Sequence, residues 1–180
     1  KALIVEHANT SPAVEAAKKL GVQVIELAVA DGAAAGQFSL GALPAAPCAS
    51  GGPAQAGDVA MVLHTSGTTS RPKRVPLSVA NLCASARQIA ATLQFTAQDR
   101  GLNIMPLFHI HGLLAGLLAP LSAGSQVFCT PGFNALRFYK WMDEANPTWY
   151  TAVPTMHLAI ASRGKHNAEV VARHPLRFVR

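Results

Sequence analysis

The sequence is short of charge. Asp, Glu, Lys and Arg make up only 13% of its 180 residues, about half the share usual in a soluble domain, so part of the surface is expected to be covered by something else. Cysteine is scarce as well. Cys48, Cys83 and Cys129 are too few and too scattered for a disulfide framework or a zinc site, and read as reduced intracellular thiols. Aromatic residues are 6% and show no stacking pattern, which argues against a nucleic-acid platform. No apolar run reaches the length of a membrane span; the richest, Gly112 to Leu121, contains Pro120. A secretory signal is missing too, because Glu6 follows Ala2-Leu3-Ile4-Val5 before an apolar segment can form. The expected location is cytoplasmic, with no nucleic acid and no membrane span.

What is present is apolar: half the residues are hydrophobic, enough for a sizeable core and too many for wholesale disorder. The net charge is +6, but the basic residues form no run; Arg163, Lys165, Arg173, Arg177 and Arg180 are spread through the last part of the chain. A small phosphate-bearing ligand accounts for that sign, and so does an interface with a missing acidic segment. The chain begins without Met, and Leu176 to Arg180 read as a strand about to be continued. The expectation is an incomplete chain.

Strands and helices alternate. Ala2–Val5 and Val22–Leu27 read as strands around a helix that starts at Ser11-Pro12, carries Ala13, Ala16, Ala17 and Leu20 as its apolar stripe, and stops at Gly21. Residues 30–57, rich in Ala, Gly and Pro, read as a loop without regular structure. Beyond Asp58, strands are expected at 59–64, 74–77, 101–105, 125–129 and 148–153. Helices are expected after Ser78, over 113–121, after Asn134 and after Pro154. This alternation predicts an α/β fold, a mainly parallel sheet flanked by helices.

Two clusters carry chemistry. In the first, Thr65-Ser66-Gly67-Thr68-Thr69-Ser70-Arg71-Pro72-Lys73 follows a buried-looking strand. Its hydroxyls and loop amides are donors that can wrap phosphate oxygens, and Lys73 adds a point charge. It is not the common nucleotide P-loop, since Pro72 precedes the lysine and Arg74 follows it. An ordinary polar turn has the same composition. In the second, Met105-Pro106-Leu107-Phe108-His109-Ile110-His111-Gly112-Leu113 holds two histidines at a spacing that can chelate. No third ligand lies near them in sequence, so a His-x-His metal hydrolase is a distant alternative, and one buried plus one exposed histidine is the plain one.

The order of residues from Thr65 to Lys73 resembles the phosphate loop of the adenylate-forming superfamily, the acyl-CoA synthetases, luciferases and peptide-synthetase adenylation domains. Pro106-Leu107-Phe108-His109 with Gly112 resembles that superfamily's second core motif, and Trp149-Tyr150-Thr151-Ala152-Val153-Pro154-Thr155 stands where a third is expected. Ser70-Arg71-Pro72-Lys73 and His109-Ile110-His111-Gly112-Leu113-Leu114-Ala115-Gly116-Leu117-Leu118 are most similar to the peroxisomal-type oxalate–CoA ligase branch. One departure is Arg74, where the family customarily has glycine.

The resemblance implies that residues 1–180 are part of the large N-terminal, AMP-binding domain. Its adenine-binding part and C-terminal domain would lie further along the chain. It implies ATP, Mg2+ and coenzyme A as cofactor and co-substrates, a small-molecule carboxylate as the partner substrate, and a peroxisomal location for a eukaryotic source. Thr65, Ser66, Gly67, Thr68, Thr69 and Lys73 would hold the phosphates. His109, the implied catalytic residue, would border the acyl pocket with His111 and Gly112, and no metal ligand is implied within these residues. The function implied is an ATP-dependent acid–thiol ligase, with oxalate–CoA ligase first, a fatty-acid–CoA ligase or a non-catalytic nucleotide-binding module as alternatives, and no adenylation by these 180 residues alone.

Overall fold

The computed structural model describes residues 2–34, 36–43, 51–65 and 72–180. The chain divides into two compact units, Lys1–Pro53 and Ala54–Arg180.

In the first unit β1 (Ala2–Glu6) and β2 (Gln23–Ala28) pair in parallel, joined by α1 (Pro12–Lys19). Ser11 occupies the N-cap and Pro12 the first turn, while Gly21 at φ +64° releases the chain from the helix. The buried residues of α1 are Val14 and Ala17, and Leu20 is exposed. The expected stripe was therefore rotated by about one residue: Val14, not Ala13, is the apolar partner one turn before Ala17. A two-residue strand, β3 (Ser39–Leu40), pairs antiparallel with β2. It lies within the segment expected to have no regular element.

The second unit opens with an antiparallel pair, β4 (Val59–Thr65) and β5 (Lys73–Ser78). Ser78 then caps α2 (Val79–Thr92) through a reciprocal box: its hydroxyl accepts from the Asn81 amide at 3.1 Å, and its amide donates to Asn81 Oδ1 at 3.0 Å. Its main element is a four-stranded parallel sheet in the order β7 (Gln126–Cys129), β6 (Arg100–Asn103), β8 (Trp149–Thr151), β9 (Phe178–Val179).

Period-two alternation sends neighbouring strand residues to opposite faces. Leu102 and Tyr150 enter a core with Phe138, Tyr139, Trp141 and Met142 of α4 (Phe138–Ala145) and Ile160 of α5 (Pro154–Ala161), with Val170 of α6 (Ala168–Arg173) packed against it. Trp149 enters the other core, with Ala86 of α2, Phe95, Leu114 and Ala119. Gly101 is the partner of Trp149 across β6 and β8, and a Cβ there would lie 2.7 Å from Trp149 Cζ2. The indole thus lies over a residue that has no side chain to obstruct it.

Two local expectations are revised. The segment read as one buried helix over 113–121 is a π-helix, His111–Leu118, running into a short helix α3 (Ala119–Ser122). Asn134 does not cap α4 directly. Its Oδ1 accepts from the Leu136 and Arg137 amides at 2.9 and 3.2 Å, making a turn that delivers the chain to Phe138.

Candidate functional site

In open parallel sheets, ligands gather beyond the carboxyl ends of the strands. At that end of β6 the chain leaves Asn103, passes the buried Ile104 and Met105, and turns through Pro106 to His111. Asn103 ties this turn. Its Nδ2 donates to the Gly112 carbonyl at 3.1 Å, and its Oδ1 accepts from the Met105 amide at 3.1 Å. A Cβ at Gly112 would collide with the Pro106 carbonyl, and one at Gly116 would lie 2.6 Å from Asn103 Oδ1. The two glycines let the π-helix sit against β6, and π-helical turns are often found at functional sites.

His109 is exposed, and its Nδ1 accepts from the His111 amide at 3.2 Å. His111 turns inward: its Nε2 lies 2.6 Å from Thr151 Oγ1, at the end of β8, and 3.1 Å from Arg180 Nη1, just after β9. A guanidinium only donates, so that contact uses the Nε2 lone pair of a neutral imidazole. Burial pushes the His111 pKa down, and the positive charge of Arg180 adds to the effect. The positive charge beside His111 is that of Arg180.

His111 and Arg180, with Ile89, Ile110, Leu114 and Ala115, line a cavity of about 570 Å3. Gly112 is buried, with the carbonyl contact already described. Among the described residues no group of three or more His, Cys, Asp or Glu side chains converges. The guanidinium beside His111 would repel a cation held by the His-x-His pair.

Thr65 ends β4 directly opposite Lys73, which begins β5. Both side chains are exposed. Ser66, Gly67, Thr68 and Thr69 lie outside the described residues. The β4–β5 pair and the π-helix both pack on α2.

The family model of the AMP-binding enzymes matches residues 1–180. The chain belongs to the AMP-binding enzyme family. An oxalate–CoA ligase of Arabidopsis thaliana is 48% identical over 126 residues, covering 68% of this chain and 24% of that protein. The oxalate–CoA ligase of Saccharomyces cerevisiae is 40% identical over 114 residues, covering 63% of this chain and 21% of that protein. Among solved structures, ATP-bound MatB from Rhodopseudomonas palustris matches 99% of this chain and 34% of its own, with a TM-score of 0.73 and 25% identity. The chain thus spans about a quarter of the length of the curated relatives it matches. No helix among the described residues is long and apolar enough to cross a membrane.

Sequence reasoning did not find Thr151, His157 or Arg180 as members of this site. They lie 40, 46 and 69 positions from His111 in sequence, and no short motif joins them. Strand order was the available signal: with β6, β8 and β9 adjacent and parallel, residues at their carboxyl ends meet.

Proposed function

We propose that this chain forms the phosphate-binding and acyl-binding part of an ATP-dependent acid–CoA ligase whose acid is a short carboxylate, oxalate first. The observation that carries the reading is the Thr65–Lys73 strand pair, whose two residues bracket the hydroxyl-rich sequence in a chain that matches the AMP-binding family from end to end. The identity to two oxalate–CoA ligases supports the choice of acid.

In this reading the substrate carboxylate attacks the α-phosphorus of ATP. The bond to the bridging oxygen of the β-phosphate breaks, pyrophosphate leaves, and an acyl adenylate remains. The thiol of coenzyme A then attacks the acyl carbon, releasing AMP and giving the thioester. Thr65, Ser66, Gly67, Thr68 and Thr69 hold the departing phosphates while Lys73 offsets their charge, which favours in-line attack by positioning and electrostatics. His109 stands at the acyl side, exposed after β6, where it can gate the entry of acid and thiol. Magnesium, when bound, would neutralise phosphate charge.

The test is oxalate-dependent exchange of pyrophosphate into ATP by the full-length protein. Exchange above a blank without oxalate, lost or much reduced in Lys73→Ala, is expected. Equal exchange with and without Lys73 would remove the loop assignment.

A further inference from the structure

The carboxyl edge of the sheet carries a cation that no carboxylate among the described residues matches. Among the described residues the ion pairs are His7–Glu26, Lys140–Glu144, Asp143 with Arg173 and His174, and Asp99–Arg177. Arg180 belongs to none of them. Its guanidinium meets an uncharged partner, His111 Nε2, at 3.1 Å on the wall of the 570 Å3 cavity.

The main chain at Arg180 is held from several directions. Its amide donates to the Tyr150 carbonyl at 3.1 Å, and its carbonyl accepts from the Ala152 amide at 3.0 Å. His157 Nε2 donates to the same carbonyl at 3.1 Å. With Nε2 protonated, Nδ1 of the neutral ring is left as an acceptor, and the Tyr150 hydroxyl donates to it at 3.1 Å. Backbone position is thus fixed by β8 and His157, while the exposed side chain reaches across to His111.

A guanidinium has five N–H donors in a planar fork that suits a carboxylate, and the contact to His111 uses one of them. The neighbouring wall is apolar, formed by Ile89, Ile110, Leu114 and Ala115, and such a wall strengthens a charge–charge contact by thinning the water around it. A hydrocarbon tail on the same wall would cover the guanidinium without pairing it, which is unfavourable.

We propose that Arg180, steadied by His111, takes the second carboxylate of a short dicarboxylate substrate in this cavity and so sets the preference for a dianion over a monoacid. This rests on the ligase reading above and adds to it the residue that selects the acid. His157 and Tyr150 are positioning residues for Arg180.

The test is steady-state kinetics of the full-length protein and its Arg180→Gln variant, with oxalate and malonate against acetate and propionate. Dicarboxylate kcat/KM is expected to fall by about 30-fold, the range for losing a hydrogen-bonded charge contact, mainly through KM. Monoacid kcat/KM is expected to stay within about 3-fold. Because the ladder contacts of residue 180 are main-chain, the melting temperature should hold. Arg180→Lys, keeping the charge and losing the fork, should recover part of the selectivity. An equal fall for both classes, or an unchanged dicarboxylate rate, would overturn the inference and leave the ligase reading standing. A wild-type protein that forms no AMP with either class would overturn the ligase reading and this inference with it.

Discussion

Asp99 and Arg177 form a bidentate ion pair, with Arg177 Nε and Nη2 at 3.1 and 3.0 Å from the two carboxylate oxygens. Asp99 immediately precedes β6, Thr148 precedes β8 and Arg177 precedes β9. The Thr148 hydroxyl donates to the same carboxylate at 2.9 Å. One buried aspartate therefore ties three parallel strands at their amino ends, opposite the edge that carries His111 and Arg180.

Burial alone would push the Asp99 pKa up. The Thr96 amide, the Thr148 hydroxyl and the Arg177 charge outweigh it and hold the carboxyl below its ordinary value of 3.8. A group depressed in this way contributes stability above its unfolded pKa and loses it as pH falls through the folded one. Asp99→Asn should therefore cost about 3 kcal/mol at pH 7, the low end for breaking a buried pair because Arg177 is partly exposed. Denaturant melts of the full-length protein should show that gap closing only below about pH 4. A gap that is unchanged at pH 3, or already closed at pH 6, would contradict the assignment.

Gly101→Ala tests the packing of Trp149. The new methyl would arrive 2.7 Å from Cζ2 of an indole that is 1% exposed and lies between Phe95 and Phe178, with ring centroids 4.7 and 5.6 Å away. No flexible end can yield there, so a loss of about 2 kcal/mol is expected for overpacking. An unchanged melting temperature would show that β6 and β8 can part without cost.

His109→Ala asks whether the exposed histidine gates the site. Its removal takes away an acceptor for the His111 amide and nothing buried, so the fold should survive. Thioester formation by the full-length protein should fall by about 10-fold or more, within the range of positioned acid–base and gating groups. Wild-type turnover would discard the gate.

His157→Phe keeps a ring but removes the donor to the Arg180 carbonyl and the acceptor for the Tyr150 hydroxyl. The KM for a dicarboxylate should rise by about 3- to 10-fold, roughly one lost hydrogen bond, while the KM for ATP stays put. A matching rise for ATP would point to general loosening of the sheet edge instead.

The alternation of strands and helices was legible because each strand of the parallel sheet is a short apolar run bounded by a turn, a cap or a proline. Boundaries shifted by a residue or two, as at Arg100–Asn103 and Trp149–Thr151, where side chains beyond the strand are still buried and so read as strand. The π-helix was not legible. His111 to Leu118 is apolar on every side, and it lies against β6 through Asn103, a contact across sequence that periodicity does not carry. The site was half legible for the same reason. His109 and His111 lie in one motif, whereas Thr151, His157 and Arg180 reach it only through the order in which the strands pair.

The most direct measurement is the ratio of kcat/KM for oxalate to that for a medium-chain fatty acid, taken on the full-length protein. A ratio above about 100, or roughly 2.7 kcal/mol of transition-state binding in favour of oxalate, is the predicted result. A hundredfold preference for the fatty acid would contradict the account, because the Arg180–His111 wall would then be covered by hydrocarbon with its charge unpaired.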